Sequence, residues 1–181
     1  MSVVTGKVWK YGDDVNTDVI FPGKYTYTIK ERADMAKVAC EDLDAEFNKN
    51  AKAGDIIVGG KNWGCGSSRE QAVTCIKERG IAAIIARSFA RIYYRNCFNE
   101  GLAIIICPEA VDAIESGEEV TIDFDNFIIT TANGCITNSR RCCWSQASIP
   151  ACCSCSNVLK LLAKAIASFN LRFSSCFFFE K

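Results

Sequence analysis

Short runs of apolar residues alternate with helical patterns in the middle of the chain. The runs occupy residues 55–60, 81–86 and 102–106. Uninterrupted apolar runs of this length are typical of strands that are buried on both faces of a sheet. Helices are predicted after these runs, over residues 72–79, 91–100 and 108–114. Because strands and helices alternate in this way, the sequence predicts a mostly parallel sheet covered by helices.

Segments with a strand pattern flank this central unit. Residues 6–11 predict a first strand, and residues 118–124 and 127–131 predict a hairpin that turns at residues 125–126. Residues 30–50 carry the apolar spacing of a single helix in a charged background. The expected fold is therefore an α/β layered domain with a central, mostly parallel sheet and antiparallel strands at its margin.

The segment that joins the strand at 55–60 to the next helix reads KNWGCGSSREQ over residues 61–71. Its glycines allow backbone N–H groups to approach a ligand closely, and a helix N-terminus adds unpaired donors and positive potential. Two hydroxyls and a planar guanidinium suit a carboxylate ligand. The candidate ligand-binding residues are Gly64, Gly66, Ser67, Ser68 and Arg69.

A purely structural interpretation of the same segment stays open. Both Ser67 with Glu70 and Ser68 with Gln71 fit the spacing of a capping box, in which a serine only begins the helix. Two nucleotide-binding motifs are excluded. No Gly-Lys-Ser/Thr follows at Walker A spacing, and Arg69 stands where a dinucleotide fingerprint needs its third glycine.

Composition narrows the chemistry further. The chain has 21 basic and 21 acidic residues and no histidine. A formal net charge of zero gives no sign of a nucleic-acid partner. Without histidine, Ser-His-Asp and Cys-His systems are excluded, so proton abstraction needs a carboxylate, lysine, tyrosine, thiol or hydroxyl. The amino-terminal residues lack the features of a signal peptide and no stretch is suited to span a bilayer, so a soluble cytoplasmic protein is expected.

The twelve cysteines fall into two groups. Six stand singly, mostly in apolar segments, as expected for buried thiols in a reducing compartment: Cys40, Cys65, Cys75, Cys97, Cys107 and Cys135. The other six crowd the last forty residues: Cys142, Cys143, Cys152, Cys153, Cys155 and Cys176.

Three motifs, in this order and spacing, resemble the small subunits of 3-isopropylmalate dehydratases, the swivelling-domain half of the aconitase superfamily. They are TDVIFP at 17–22, GKNWGCGSSRE at 60–70, and IARSFARIYYRN at 85–96 followed by Gly101-Leu102. The resemblance extends over about residues 6–133. It implies a swivelling β/β/α three-layer domain over residues 1–138.

The resemblance also implies a heteromeric hydro-lyase. This domain would dock on a large subunit that holds a [4Fe-4S] cluster, while the present chain would hold no metal. The complex would isomerise 2-isopropylmalate and 3-isopropylmalate by dehydration and rehydration, in the biosynthesis of leucine, a branched-chain amino acid.

The resemblance assigns roles to the polar residues of the motifs. Ser67 would be the base that removes the carbon-bound proton, and Ser68 and Arg69 would stabilise its alkoxide while Arg69 also grips a substrate carboxylate. Asp18, preceded by Thr17, would orient or tune the serine. From the residues alone, Thr17 and Asp18 are better explained as a polar turn that fixes a loop with a short extended piece.

In relatives, the loop that corresponds to residues 24–28 lines the pocket for the variable side group of the substrate. This implies substrate contacts for Lys24, Tyr25 and Tyr27. Relatives of the homoaconitase type carry arginine at the position of Tyr27, and a neutral aromatic ring here favours an isopropyl group over a third carboxylate. Lys24 would weaken that argument if it turned inward, and citramalate, dimethylmalate and homoaconitase types stay open.

The sequence departs from the family pattern at two places. Gln71 stands where many relatives have histidine, and residues 139–181 form an atypical cysteine-rich tail with a possible amphipathic helix at 158–169. A metal site or, preferably, an aberrant carboxyl end would explain this tail. Two other functions therefore stay open: a stand-alone anion-binding module, and a relative that is non-catalytic or defective in assembly.

Overall fold

The computed structural model describes residues 3–137. The predicted cysteine-rich tail and its helix at 158–169 lie outside the described residues. The strands are β1 Val3–Lys10, β2 Ile56–Gly59, β3 Ala83–Ala86, β4 Ala103–Ile106, β5 Glu119–Asp123, β6 Ile128–Thr131 and β7 Gly134–Thr137. The α-helices are α1 Thr17–Ile20, α2 Arg32–Lys37, α3 Ala45–Asn50, α4 Gln71–Glu78, α5 Arg91–Glu100 and α6 Pro108–Ala113.

Within residues 3–137 the strands form one seven-stranded sheet in the order β4-β3-β2-β1-β5-β6-β7. Strands β1 to β4 are parallel, and β5, β6 and β7 continue the sheet in antiparallel fashion. The predicted parallel centre and the hairpin of β5 and β6 are confirmed. Strand β7 was not predicted.

Both faces of the parallel strands are buried, as the continuous apolar runs predicted. Successive side chains of a strand point to opposite faces. Ile57 and Ile84 pack in a core that lies against helices α1 to α5. Ile56 and Ile85 pack in a second core, together with α6 and with Val120 and other residues of β5 and β6. Because the antiparallel strands share this second core, the sheet curls into the two β-layers of a β/β/α arrangement.

The single helix predicted over residues 30–50 is wrong. Helix α2 ends at Lys37 and α3 begins at Ala45, with a tight turn between them. Cys40 has a left-handed backbone (φ 56°), and its N–H donates to the carbonyl of Ile20 at 2.8 Å. Asp44 then caps α3 by accepting a hydrogen bond from the backbone N–H of Glu46 at 2.9 Å. A polar cap and a tertiary contact therefore override the helical spacing.

Two strand-to-helix turns meet at the carboxyl edge of the parallel strands. Trp63 lies in the turn after β2, and its backbone N–H donates to the carbonyl of Ser88, in the turn after β3, at 3.0 Å. The N–H of Arg87 donates to the carbonyl of Gly60 at 3.1 Å. The carboxyl edge of the parallel strands, where sheets of this kind bind ligands, is thus built from two loops bonded to each other.

A cluster of charged residues ties α2, α4 and α5 together. The guanidinium of Arg32 donates to both carboxylate oxygens of Glu100, at 3.0 and 3.3 Å, and to Glu78 at 3.4 Å. Lys77 also donates to the backbone carbonyl of Glu100. The side chain of Glu100 is only 11% exposed. The hydrogen bonds from Arg32 hold the pKa of this carboxyl below its ordinary value.

Glu100→Gln is expected to lower the free energy of unfolding by about 1 kcal/mol at pH 7. A depressed carboxyl pKa contributes stability that is present above the ordinary value of 4.5 and is lost as the pH falls through the folded value. The difference between wild type and variant should therefore shrink as the pH falls below 4.5. Urea unfolding at a series of pH values measures it, with the exposed Glu115→Gln as the control. A difference that does not depend on pH would contradict the prediction.

Candidate active site

The structure brings together three residues predicted for the site. The Arg69 guanidinium forms an ion pair with the carboxylate of Asp18, with Nη2 at 2.7 Å from Oδ1. The hydroxyl of Ser67 donates to the same oxygen at 3.4 Å. One carboxylate oxygen therefore joins a cation and a hydroxyl that come from a loop almost fifty residues away in sequence.

Asp18 is placed by a helix that was predicted to be a loop. The Asn16 side chain caps α1, because its Oδ1 accepts a hydrogen bond from the N–H of Asp18 at 2.9 Å. Asn is a preferred N-cap residue, so the signal for this short helix is present in the sequence. The cap fixes Asp18 in the first turn, with its side chain 48% exposed beside Arg69.

Thr17 is a buried residue that holds the glycine-rich loop in place. It is 2% exposed, and its hydroxyl donates to the backbone carbonyl of Ser67 at 2.9 Å. Its N–H donates to the carbonyl of Cys65 at 2.8 Å. These bonds fasten α1 to the glycine-rich loop, so Thr17 positions the Ser67 peptide.

The two glycines of the loop are required for close packing. Gly66 has φ 96°, and a Cβ there would overlap the side-chain amide of Asn16. Gly64 has φ 77°, and a Cβ there would overlap the ring of Tyr93. The N–H of Gly64 donates to the carbonyl of Val15 at 2.8 Å, so this group is bonded within the chain, and a substrate contact of Gly64 stays a prediction.

The serines do not cap the following helix. Helix α4 begins at Gln71, and its N-cap residue Glu70 makes no side-chain capping bond. The capping-box interpretation is therefore wrong, and so is a helix start at Ser67. The N-terminus of α4 lies three residues beyond Ser68, which leaves both serine hydroxyls outside the helix.

Arg69 is held against the chain that follows α1. Its Nη1 donates to the carbonyl of Phe21 at 3.3 Å, and a Cβ added to Gly23 would lie 3.4 Å from the same nitrogen. The side chain is 20% exposed. The planar guanidinium is thus fixed by a carboxylate and a carbonyl, in a geometry that can also receive an external carboxylate.

The predicted substrate loop contains a short 3₁₀-helix, Gly23–Tyr25. The ammonium of Lys24 lies 3.2 Å from Glu41 and 3.5 Å from Asp42, and 4.9 Å from the centre of the Tyr25 ring. The hydrogen bond to Glu41 raises the pKa of Lys24. Tyr27, by contrast, is 90% exposed. Lys24 is therefore engaged by two carboxylates, whereas Tyr27 is almost fully exposed.

A polar cleft of about 490 Å³ adjoins the serine loop. The residues that line it are Lys30, Arg32, Met35, Ser68, Glu70, Gln71, Thr74 and Asn96. Ser68 and Gln71 thus line this cleft, whereas Ser67 and Asp18 are not among its lining residues. Sequence reasoning missed the contributions of Arg32, which belongs to no motif, and of Asn96, the last residue of the motif at 85–96.

The cysteine thiols and carboxylates of residues 3–137 form no metal centre. No group of three or more His, Cys, Asp or Glu side chains there is arranged to hold a metal ion. Cys40, Cys75 and Cys97 are buried, and burial raises the pKa of each thiol. In the same part of the chain, no helix has the length and apolar character needed to cross a bilayer.

Comparison with known proteins tests the resemblance. Residues 15–110 match the family of aconitase C-terminal domains. The chain is 54% identical over 124 residues to the 3-isopropylmalate dehydratase small subunit of Brachyspira hyodysenteriae, covering 68% of this chain and 76% of the relative. It is 52% identical over 125 residues to the 2,3-dimethylmalate dehydratase small subunit of Eubacterium barkeri, covering 69% and 76%.

A solved structure agrees with these relatives. The crystal structure of a 3-isopropylmalate dehydratase from Methanocaldococcus jannaschii superimposes with a TM-score of 0.72 at 38% identity, covering 94% of this chain and 99% of that one. The resemblance inferred from the motifs is confirmed. The chain belongs to the aconitase C-terminal domain family and, within it, to the small subunits of 3-isopropylmalate and related malate dehydratases.

Proposed function

We propose that this chain is the small subunit of a hydro-lyase that interconverts 2-isopropylmalate and 3-isopropylmalate in leucine biosynthesis in the cytoplasm. The observation that carries the proposal is the convergence of Ser67 and Arg69 on Asp18. A hydroxyl beside a carboxylate suits proton transfer, and a guanidinium suits a carboxylate substrate. The relatives named above support the reaction type.

Ser67 acts as the base towards the carbon-bound proton of the substrate. As its Oγ accepts that proton, its own proton can move along the hydrogen bond to Oδ1 of Asp18. Asp18 alone would oppose negative charge on the neighbouring oxygen. The Arg69 guanidinium, 2.7 Å from the same carboxylate, offsets that charge and stabilises the pair of oxygens as one site.

Arg69 also binds the substrate. Its guanidinium is planar and presents several N–H donors in a fixed geometry, so one edge can hold Asp18 while another receives a substrate carboxylate. The carbonyl of Phe21 keeps that orientation through a bond of 3.3 Å. Thr17 and Gly66 act indirectly, because they hold the loop that carries Ser67.

A large subunit with a [4Fe-4S] cluster completes the active site. The cluster supplies a Lewis acid for the leaving hydroxyl group. The side chain of Asp18 is 48% exposed, so the site of this chain is open to a partner. The small-subunit names of the relatives support such a partner. The domain that docks corresponds to residues 1–138.

The substrate is a hydroxy diacid with an uncharged alkyl group. Isopropylmalate is favoured because Tyr25 and Tyr27 supply neutral aromatic surface in the loop predicted to line the pocket. A second candidate is 2,3-dimethylmalate, because the E. barkeri subunit is 52% identical to this chain, close to the isopropylmalate relatives. Both are diacids, but isopropylmalate carries one isopropyl group whereas 2,3-dimethylmalate carries two methyl groups on neighbouring carbons.

The proposed reaction can be measured in a reconstituted complex. Anaerobic co-expression with a cluster-bearing large subunit is expected to give a complex that converts 3-isopropylmalate to the alkene, followed by ultraviolet absorbance. Each subunit alone should show no turnover. Faster turnover of 2,3-dimethylmalate would select the second candidate. A stable, cluster-loaded complex that converts neither diacid would overturn the proposal, and phosphate binding by the isolated chain would favour an anion-binding module.

A further inference from the structure

We propose that Glu41 and Asp42 set the preference of this site for diacids over triacids by neutralising Lys24. The inference rests on the function proposed above and concerns the same site. Both carboxylates lie outside the motifs and outside the loop at residues 24–28 that the family resemblance connects with the substrate. Their role follows from the contacts that they make.

Lys24 is engaged from three sides. Its ammonium forms ion pairs with Glu41 at 3.2 Å and with Asp42 at 3.5 Å, and it lies 4.9 Å from the centre of the Tyr25 ring. The hydroxyl of Tyr25 donates to the same Glu41 oxygen that Lys24 contacts, at 3.5 Å. One cation and two carboxylates leave this cluster with a net charge of −1. Exposed ion pairs are individually weak, but here several contacts hold the same cation.

The two carboxylates are fixed next to the site by the backbone. Cys40, the residue before Glu41, donates its N–H to the carbonyl of Ile20 at 2.8 Å. Ile20 is the last residue of α1, the helix that carries Asp18. The left-handed turn at Cys40 and this bond therefore anchor Glu41 and Asp42 to the helix that carries the Asp18 carboxylate.

Lys24 follows Gly23, the residue that lies against the Arg69 guanidinium. Arg69 lies against Gly23 and donates to the carbonyl of Phe21. A cation released from its carboxylates at Lys24 would therefore lie near the Arg69 guanidinium. It would offer the counter-charge that a third substrate carboxylate needs, since burying an unpaired charge is strongly unfavourable.

The cluster consequently discriminates by charge. A carboxylate in place of the isopropyl group would meet a net negative cluster, whereas an alkyl group carries no charge to be repelled. Replacing Glu41 and Asp42 by their amides keeps the shape and changes the charge of the cluster from −1 to +1. The preference for an uncharged group should then weaken for two reasons. The repulsion between the two carboxylates and a third substrate carboxylate is removed, and Lys24 becomes available to attract that carboxylate.

The test compares two malates in the reconstituted complex: 3-isopropylmalate, and isocitrate, in which a carboxymethyl group replaces the isopropyl group. The variant E41Q/D42N is expected to raise kcat/KM for isocitrate about tenfold, mainly through a lower KM, and to change that for isopropylmalate less than about twofold. The gain should shrink at high salt. Adding Lys24→Met to the variant should abolish the gain.

A matched control separates local from general charge effects. The variant E115Q/D125N also removes two exposed carboxylates, in the turn before β5 and in the hairpin after it, and should leave both values unchanged. An unchanged isocitrate value in E41Q/D42N, or a gain that persists without Lys24, would overturn the inference. If the wild-type complex converts no diacid, the proposed function fails. The inference is then judged by thermal-shift binding of isocitrate, which E41Q/D42N must tighten.

Discussion

Ser67→Ala is expected to lower kcat of the reconstituted complex about a thousandfold, with little change in KM. The variant removes the oxygen that bonds to Asp18 and that, in the proposed reaction, accepts the proton of the substrate carbon. Arg69 keeps its ion pair with Asp18 and its bond to Phe21, so binding of the diacid should persist. A loss confined to kcat is the sign of an interaction that acts in the chemical step.

The measurement requires an intact complex. Size-exclusion chromatography and iron content should match the wild type, because within residues 3–137 the bond of the Ser67 hydroxyl to Asp18 is long, at 3.4 Å. Ser116→Ala, in the exposed turn before β5, is the matched control and should keep full activity. If Ser67→Ala retained more than about a tenth of the wild-type kcat, a different group would have to be the base.

The parallel core was predictable because burial on both faces leaves a strong mark on the sequence. Strands β2, β3 and β4 coincide with the three apolar runs, and Gly101 ends α5 in the left-handed conformation that glycine allows. Strand β7 was missed because residues 134–137 form a short strand in which Gly134 and Cys135 are exposed and Ile136 is half-buried. Such a strand has no apolar alternation to reveal it.

The errors arose where a capping residue or a tertiary contact competes with periodicity. Apolar spacing continues through residues 38–44, but the hydrogen bond between Cys40 and Ile20 needs a turn there. Asn16 and Asp44 each cap a short helix, and each is visible in the sequence as a polar residue before the helix. Periodicity alone gives these residues no weight, so one helix was predicted too long and another was missed.

The site was only partly predictable from its residue types. Hydroxyls and a cation after Gly66 indicated a carboxylate ligand, but nothing local connects Ser67 with Asp18. That connection depends on the bond between Thr17 and the Ser67 carbonyl, which spans fifty residues. The family resemblance supplied the pairing, whereas the engagement of Lys24 by Glu41 depends on a tertiary contact that no motif describes.

The glycine-rich loop is expected to be the most sensitive part of the structure to substitution. Gly64→Ala should lower the free energy of unfolding by about 2–5 kcal/mol. Two costs add. A residue with a side chain is strained at φ 77°, and the new Cβ would overlap the ring of Tyr93. That ring is 1% exposed and packed in the core beneath the helices, so it has little room to move aside.

Urea unfolding followed by circular dichroism measures the free energy of unfolding. In thermal unfolding of the same variant, the melting temperature should fall by roughly 5–15 °C. Gly12→Ala is the matched control. A Cβ added to Gly12 would have no atom of the described residues within 4 Å, and Gly12 has no positive φ, so its replacement should change stability by less than about 0.5 kcal/mol. Equal stability of the two variants would contradict the prediction, because it would show that the Tyr93 ring moves aside without loss of stability.

The same substitution should also affect the active site. Because Gly64 donates to Val15, just before the Asn16 cap, strain there should displace Ser67 from Asp18. The activity of any folded Gly64→Ala complex should therefore fall further than its stability alone explains.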